Sequence, residues 1–314
     1  MPSKTIAITA YKRPKYFERL ILSLIKNDLQ GWEIHIQLEP SDKVPYFFEI
    51  AERLLEPYNY FIGVNPTIFG VRHNPYHMLE NIFISGSLCC IYLEEDLVVS
   101  PDITKLANWY LHQDHSNIIA LNLLLGGCVS AGFISNPSEP STLVKTKLIN
   151  SLGLIFTNEQ WIKHIKPNWL ENSEYAIDAC GAKFNGWDLA LYNHILSDPN
   201  LQVLQPICSR VTHIGELDST HVTAEFQKRA FDLLSIYDGV NTTIDYYICN
   251  DIYQLPHCIR SHINLWQEMT NALITLKQLN EGKCRLLQAQ PKANILSRIK
   301  KRLYWIRKLK FQFN

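Results

Sequence analysis

Short apolar segments alternate with amphipathic segments over the first 125 residues, and this alternation constrains the fold more than any other feature. The apolar segments with strand character are 4–10, 32–38, 58–64, 89–93 and 117–125. The segments with helical periodicity are 14–27, 45–56, 73–85 and 102–113. Because a helix that follows each strand returns the chain to start a parallel neighbour, the pattern predicts an α/β fold: a mostly parallel central sheet with helices on both faces.

The remainder of the chain continues this pattern less regularly. A stretch rich in Gly, Ser, Pro and Asn, 126–141, predicts a loop that could act as a lid. Further strands are predicted at 152–157 and within 201–215, and further helices at 158–165, with Asn158 as its cap, and at 185–196. From about residue 220 the pattern is mainly helical. We predict one domain over 1–235, a C-terminal helical extension over 236–290 and a basic amphipathic helix over 291–314.

Composition indicates a globular protein with an uneven distribution of charge. The chain has 314 residues, 46% of them hydrophobic, and its 30 basic side chains balance 30 acidic ones. Ten of the basic residues and no acidic residue fall within 282–314, so the body is acidic and the tail strongly basic. No signal peptide and no apolar run of roughly 20 residues is recognisable, which predicts a cytoplasmic location. The eight cysteines show no paired two-residue spacing, which predicts reduced core cysteines instead of a zinc site or a disulfide framework.

Three adjacent carboxylates, Glu94, Glu95 and Asp96, directly follow the buried strand at 89–93. An exposed, solvated turn is the simplest explanation of such a cluster. However, ligands of open α/β sheets bind beyond the carboxyl ends of the strands, where these side chains are expected to lie. Oxygen ligands in that place suit Mg²⁺ or Mn²⁺, which commonly complete their coordination with substrate phosphates. The triplet therefore predicts a divalent metal site.

The triplet and the Ser100-Pro101-Asp102 that follows resemble the metal-binding motif of GT-A-fold glycosyltransferases, in particular the N-acetylglucosaminyltransferase I group and its protein-O-mannose relative. Further similar segments are ITAYKRP (8–14), IHIQLEPSD (34–42), FGVRHNPYHMLENIF (69–83), LGLIFTNEQW (152–161), GWDLAL (186–191) and PICSRVTHIG (206–215). The similarity covers roughly residues 4–226. It implies a Rossmann-like GT-A domain that uses a nucleotide-sugar donor.

The resemblance also implies roles for individual residues. Asp96 takes the position of the metal ligand and Asp188 that of the catalytic base. The positions implied to contact the nucleotide-sugar are Arg13, Glu39, His73, Glu94, Glu95, Ser209 and Arg210. This chain departs from the family at two positions, with Glu39 where the family usually has Asp and Leu189 where the family has a second Asp.

Several of these residues also have ordinary explanations. Arg13 could be a surface residue of a basic turn, and Asp188 could simply favour the positive end of a helix dipole. Trp187 could be a stacking platform for an acceptor sugar, although a tryptophan is more often part of the core. His213 is a candidate metal ligand, with a hydrogen-bonded loop histidine as the alternative.

The basic tail carries apolar residues at three- and four-residue steps over 294–313, including Ile299, Leu303 and Ile306. This spacing predicts a basic amphipathic helix that binds an anionic membrane surface. The alternatives are a terminal helix packed on the acidic body and, more weakly, a nucleic-acid arm.

Together these features predict a metal-dependent inverting glycosyltransferase. It would move a sugar from a nucleotide-diphosphate donor, a UDP-sugar, to a hydroxyl of a glycan or lipid-linked glycan, peripherally bound at the inner face of the cell membrane. A sugar nucleotidyltransferase is the enzyme rival, but it would ordinarily show a glycine-rich phosphate loop after the first strand, and AYKRPK has no glycine. A catalytically inactive, membrane-associated binding module is the third alternative. It stays open because Leu189 stands where the family has a second Asp.

Overall fold

A computed structural model describes residues 3–128, 132–169, 176–177, 183–184, 186–215, 223–232, 234–239 and 244–286. The strands are β1 (Lys4–Ala10), β2 (Trp32–Leu38), β3 (Tyr60–Val64), β4 (Cys89–Glu94), β5 (Leu97–Val99), β6 (Ile118–Asn122), β7 (Thr142–Thr146), β8 (Leu154–Thr157), β9 (Ala176–Ile177), β10 (Lys183–Phe184), β11 (Gln202–Pro206), β12 (Val211–His213) and β13 (Tyr247–Cys249). The α-helices are α1 (Pro14–Leu24), α2 (Val44–Leu55), α3 (Gly70–Ile84), α4 (Ile103–Tyr110), α5 (Asn158–Gln160), α6 (Trp187–Ser197), α7 (Ala224–Ala230) and α8 (His257–Leu286).

The main sheet has nine strands in the order β13-β7-β11-β6-β8-β4-β1-β2-β3. The strands β4, β1, β2 and β3 are parallel neighbours, and β11 is parallel to β6. Antiparallel pairing occurs where β8 lies between β4 and β6 and where β7 pairs with β11. The predicted α/β fold with a mostly parallel sheet is therefore confirmed.

Two hydrophobic cores cover opposite faces of this sheet, because successive side chains of a strand point in opposite directions. In β1, Ile6 and Ile8 belong to one core, which includes residues of α1, α2 and α4. Ala7 between them belongs to the other core, with residues of α3, α6 and α8. Helices therefore lie on both faces, as predicted. Each buried Leu, Ile or Phe side chain contributes roughly 1.5–3 kcal/mol.

The predicted elements of the first 125 residues all form, with ends that shift by a few residues. The cap of the helix at 158 differs from the prediction. Thr157 rather than Asn158 is the cap, since its hydroxyl accepts from the Gln160 N–H while the Gln160 side chain accepts from the Thr157 N–H, a reciprocal capping box. The helix then continues as a π-helix, Trp161–Ile165.

The C-terminal part combines a helix with an unpredicted strand. The long helix α8 supplies the predicted helical extension. Before it, β13 adds a parallel edge strand beside β7, which the helical pattern of this region did not indicate. Within the described residues, no helix has both the length and the apolar character needed to cross a membrane. The predicted amphipathic helix over 291–314 lies outside the described residues.

Candidate functional site

Three separate parts of the chain meet at the carboxyl edge of the sheet. The chain leaves β1 at Ala10 and β4 at Glu94, and these two strands are parallel neighbours. The backbone then turns, so that β5 pairs antiparallel with β12 and Leu97 lies opposite His213. The Ile214 N–H donates to the Asp96 carbonyl at 2.8 Å. This pairing brings His213 next to the acidic triplet and Arg13.

Asp96 is the centre of this cluster. Its Oδ2 lies 2.8 Å from Nη2 of Arg13 and 3.0 Å from Nε2 of His213. Burial tends to raise the pKa of Asp96, but the hydrogen bond and charge of His213, together with the charge of Arg13, outweigh it and hold the pKa below its ordinary value. The other oxygen, Oδ1, is buried and has no hydrogen-bond partner within the described part of the chain. Asp96 thus keeps one carboxylate oxygen available.

His213 is held from both sides of its ring. Its Nδ1 lies 2.7 Å from Oε1 of Gln227, while Nε2 faces Asp96. Burial lowers the pKa of His213, but the hydrogen bond to Asp96 and that carboxylate's charge outweigh it, so the net direction is upward. The ring nitrogen nearest Asp96 therefore carries a proton in the absence of another cation, because only a donor makes a favourable contact with the carboxylate.

Gly215 leaves the space that this cluster needs. A Cβ at position 215 would collide with Oδ2 of Asp96 and would lie 2.9 Å from both the Arg13 guanidinium and the His213 ring. Any larger residue would therefore displace charged side chains. The glycine lets the backbone approach the cluster closely, as happens where chains bind small charged ligands.

These residues fit a divalent cation that is shared with a substrate. Asp96 offers a buried oxygen, Oδ1, that has no partner among the described residues. His213 offers Nε2 once a cation replaces its proton, and its other ring nitrogen is bonded to Gln227, as is usual for metal-binding histidines. Within the described ranges, no group of three or more His, Cys, Asp or Glu side chains could hold a metal by itself. Two protein ligands completed by phosphate and water are the arrangement typical of Mg²⁺.

The other two carboxylates of the triplet have different surroundings. Glu95 accepts hydrogen bonds from Nε of Arg13 at 2.6 Å and from the Tyr11 N–H. Burial nevertheless raises the pKa of Glu95 to about 7. Burial and the charge of Asp96 also raise the pKa of Glu94, which receives a 3.4 Å contact from the Tyr92 hydroxyl. Glu95 therefore positions Arg13, and Glu94 remains the less constrained acid.

Asp188 lies in the first turn of α6, near the triplet. Its charge is one of the influences that raise the pKa of Glu94. Burial raises the pKa of Asp188 itself to about 6, although its Oδ1 accepts from the Leu189 N–H at 2.9 Å. A half-buried carboxyl with a pKa near 6 is well suited to exchange a proton close to neutral pH.

Trp187, beside Asp188, is part of the core. It is 3% exposed and stacks on Trp169 with ring centroids 4.4 Å apart and planes 14° apart. The indole therefore has no free face in this structure, which favours the core alternative. Acceptor contact by Trp187 remains a prediction.

Glu39 and His73 lie together at the start of α3. The buried Glu39 carboxylate accepts from the backbone N–H of Gly70 at 2.7 Å and of Phe69 at 3.0 Å. This negative charge at a helix N-terminus is electrostatically favourable and anchors α3 to the end of β2. His73 is half-buried in the first turn, with its ring 6.3 Å from that of His77. Nucleotide contacts by Glu39 and His73 remain predictions.

Ser209 and Arg210 are fully buried. Nε of Arg210 lies 2.9 Å from both carboxylate oxygens of Asp102, and its other nitrogens donate to the carbonyls of Cys208 and Pro140. The Ser209 hydroxyl donates to the Val211 carbonyl at 2.5 Å. In this structure both side chains bond the chain next to β12, and donor contact by Ser209 and Arg210 remains a prediction.

The first residue of the lid predicted at 126–141 is hydrogen-bonded to the body of the protein. The Gly126 carbonyl accepts from Asn150 at 2.9 Å and from Gln205 at 2.8 Å. Residues 129–131 lie outside the described ranges. A lid function for this segment remains a prediction.

The sequence analysis missed Gln227 and Gly215. Gly215 ends the PICSRVTHIG segment, two residues after His213, so its position gave a local signal. Gln227 lies in a short helix and gave no local signal, because its contact with His213 forms only in the tertiary structure.

Comparison with known proteins finds no matching family model and no matching curated protein sequence. Among solved structures, a mannosyltransferase from Pyrobaculum calidifontis in complex with GDP-Man and Mn²⁺ matches with 12% identity and a TM-score of 0.47, over 70% of this chain and 59% of that one. S. aureus TarS 1–349 in complex with UDP-GlcNAc matches with 14% identity and a TM-score of 0.44, over 72% and 64%. The glycosyltransferase GlyE of Streptococcus pneumoniae, in its apo form, matches with 15% identity and a TM-score of 0.38, over 64% and 45%.

Each of these matches spans less than two thirds of the other protein's length. At such low identity and TM-score, the likeness does not assign a function, which has to be argued from the residues of the site.

Proposed function

We propose that the chain is a metal-dependent, inverting glycosyltransferase that transfers a sugar from a nucleotide-diphosphate donor to a hydroxyl of a glycan or lipid-linked glycan. The observation that carries the proposal is the Asp96 carboxylate. One of its oxygens is bound by Arg13 and His213, while the other is buried at the carboxyl edge of the sheet with no partner among the residues that the structure describes. The choice of UDP-sugar over other donors rests on the motif resemblance.

Asp96 and His213 would hold Mn²⁺ or Mg²⁺ together with the donor diphosphate. The metal would neutralise charge that develops on the departing diphosphate. Arg13 lies on the same cluster with about one fifth of its side chain exposed, so its guanidinium is able to contact a phosphate while still bonded to Glu95. Arg13 therefore adds a fixed positive charge beside the leaving group, a preorganised electrostatic contribution.

Asp188 would act as the general base. Its carboxyl would accept the proton of the acceptor hydroxyl as the oxygen attacks the anomeric carbon from the face opposite the diphosphate. General-base assistance contributes roughly 10²–10⁴-fold to a rate. A single displacement of this kind inverts the anomeric configuration. The half-buried position of Asp188 in the first turn of α6, close enough to influence Glu94, supports this role.

Thermal unfolding with nucleotides tests the proposal. Wild-type protein is expected to be stabilised by UDP or a UDP-sugar only when Mn²⁺ is present. The reason is that Mn²⁺ would link the nucleotide phosphates to the side chains of the site. Asp96→Asn should lose this stabilisation, whereas the exposed Asp28→Asn, a matched loss of one carboxylate, should keep it. If no nucleotide stabilises the wild type with any divalent metal, the donor site is rejected.

We also propose that the tail attaches the protein to an anionic membrane surface at the cytoplasmic side. The support is the basic amphipathic pattern over 291–314, which lies outside the described residues. Full-length protein should co-sediment with anionic vesicles and not with neutral ones. Replacing Leu303 and Ile306 by Asn should release it, and equal partitioning of both forms would reject the attachment.

A further inference from the structure

Gln227 contacts His213 through both ends of its amide. Its Oε1 lies 2.7 Å from Nδ1 of His213, and its Nε2 lies 2.6 Å from the His213 backbone carbonyl. Gln227 is 4% exposed and comes from α7, 14 residues further along the chain. The His213 ring therefore lies between the Gln227 amide and Asp96 of the acidic triplet.

The two contacts together determine the tautomer of the ring. A backbone carbonyl only accepts hydrogen bonds, so the NH₂ group of Gln227 must be the part that faces it. The amide oxygen therefore faces Nδ1, and Nδ1 must carry a proton to donate to it. When a cation replaces the proton on Nε2, the nitrogen that lies 3.0 Å from Asp96, the proton on Nδ1 stays and the lone pair is left on Nε2.

We propose that Gln227 is a positioning residue that holds His213 as the Nδ1–H tautomer and thereby presents Nε2 to a divalent cation shared with Asp96. This inference rests on the proposed function. Gln227 touches neither donor nor acceptor in this scheme and acts only through His213. Partners of this kind orient metal-binding histidines, and their loss typically weakens metal binding by about 10–100-fold.

The local structure of α7 holds Gln227 in place for this task. The Thr223 hydroxyl caps the helix by accepting from the Phe226 N–H at 3.2 Å, and the Gln227 N–H bonds the Thr223 carbonyl at 2.9 Å. At the other end, Phe231 packs 5.1 Å from the His213 ring. These contacts fix the helix from which the Gln227 side chain reaches the imidazole.

The alternative is a purely structural role, in which Gln227 only holds α7 against β12. That role would affect the stability of the fold without any selective effect on metal binding. Gln205 provides the matched control, since it is fully buried and bonds Gly126 and Leu148 through both ends of its amide, but contacts neither Asp96 nor His213.

The experiment compares Mn²⁺ binding by wild type, Gln227→Met, Gln227→Glu and Gln205→Met, using the electron paramagnetic resonance signal of free Mn²⁺ with and without UDP. Gln227→Met should bind Mn²⁺ about 10–100-fold more weakly. Gln227→Glu keeps an acceptor for Nδ1 and should bind close to the wild-type affinity. Gln205→Met should lose thermal stability but keep the wild-type Mn²⁺ affinity.

Equal Mn²⁺ affinity of Gln227→Met and wild type would overturn the inference and leave the proposed function intact. Absence of Mn²⁺ binding by the wild type, with or without UDP, would instead reject the metal site itself. If Gln227→Met does not fold, ¹⁵N NMR of His213 in the wild-type protein with Mg²⁺ and UDP decides. A proton on Nδ1 and none on Nε2 supports the inference, and a proton on Nε2 alone refutes it.

Discussion

Asp96 and His213 are 117 positions apart in the chain, yet Oδ2 of the one lies 3.0 Å from Nε2 of the other. Both side chains are almost completely buried, and Arg13 contacts the same carboxylate oxygen at 2.8 Å. The buried carboxylate is thus surrounded by two groups that favour its ionised form. Several testable consequences concern the charges in this cluster.

Replacing Arg13 by Met should destabilise the fold. Glu95 would then be buried without its guanidinium partner and Asp96 would keep only His213. Removing one partner of a buried ion pair typically costs about 3–5 kcal/mol. Mn²⁺ should restore part of this loss, because the metal supplies positive charge at Asp96. Chemical denaturation with and without Mn²⁺ measures both effects.

Arg53→Met, which removes an exposed pair with Glu18, is the control and should change stability by less than about 1 kcal/mol. Unchanged stability of Arg13→Met would contradict the buried network.

Replacing Asp188 by Asn should lower kcat by about 10²–10⁴-fold, because the amide cannot accept the proton of the acceptor hydroxyl. Stabilisation by Mn²⁺ and UDP should persist, since Asp188 does not contact either in the proposed scheme. Steady-state kinetics and thermal unfolding on the same preparation provide the two measurements. Near-normal turnover would reject Asp188 as the base.

The pH dependence of the wild type should reflect the raised pKa of Asp188. A base must be ionised to accept a proton, so kcat should fall as the pH drops below about 6, the pKa to which burial raises this carboxyl. An unperturbed aspartate would keep its activity to about pH 4. An acidic limb near pH 4 would show that the burial of Asp188 has no effect on catalysis.

The same pKa predicts a gain in stability for Asp188→Asn. Because the pKa of Asp188 is higher in the folded protein than its ordinary 3.8, the carboxyl favours folding below pH 3.8 and loses that contribution as the pH rises through about 6. An uncharged Asn avoids this loss and should be more stable than wild type at pH 7 by on the order of 1–3 kcal/mol. Urea denaturation at pH 4 and pH 7 tests the sign, since the difference should shrink at pH 4.

Replacing Arg210 by Met should mainly affect folding. The guanidinium bonds Asp102, whose carboxylate also accepts from the Tyr246 hydroxyl at 2.7 Å, and the loss leaves a buried charge without its partner. A destabilisation of about 3–5 kcal/mol is expected, with UDP affinity of the folded protein little changed. Weaker UDP binding without loss of stability would instead support donor contact by Arg210.

Local sequence patterns determined the strands and helices of the first 125 residues. The apolar run 89–93 forms a strand whose side chains are buried on both faces of the sheet. The spacing of apolar residues in 14–24 places them on one face of a helix, and that face packs against the core. The acidic triplet could likewise be placed at the carboxyl edge, because its position directly after a buried strand depends only on chain order. The carboxylate cluster and the α/β class therefore followed from local pattern.

Tertiary structure alone decided which side chains complete the site. His213 reaches Asp96 only because β5 pairs with β12 in one register, and a shift by one residue would turn the imidazole to the other face. Likewise, Gln227 contacts His213, and Arg210 bonds Asp102 in the core, through contacts between distant segments. These outcomes depend on pairings between distant segments, whose energies come from packing and from pairing buried charges, and no local propensity in the sequence carries that information.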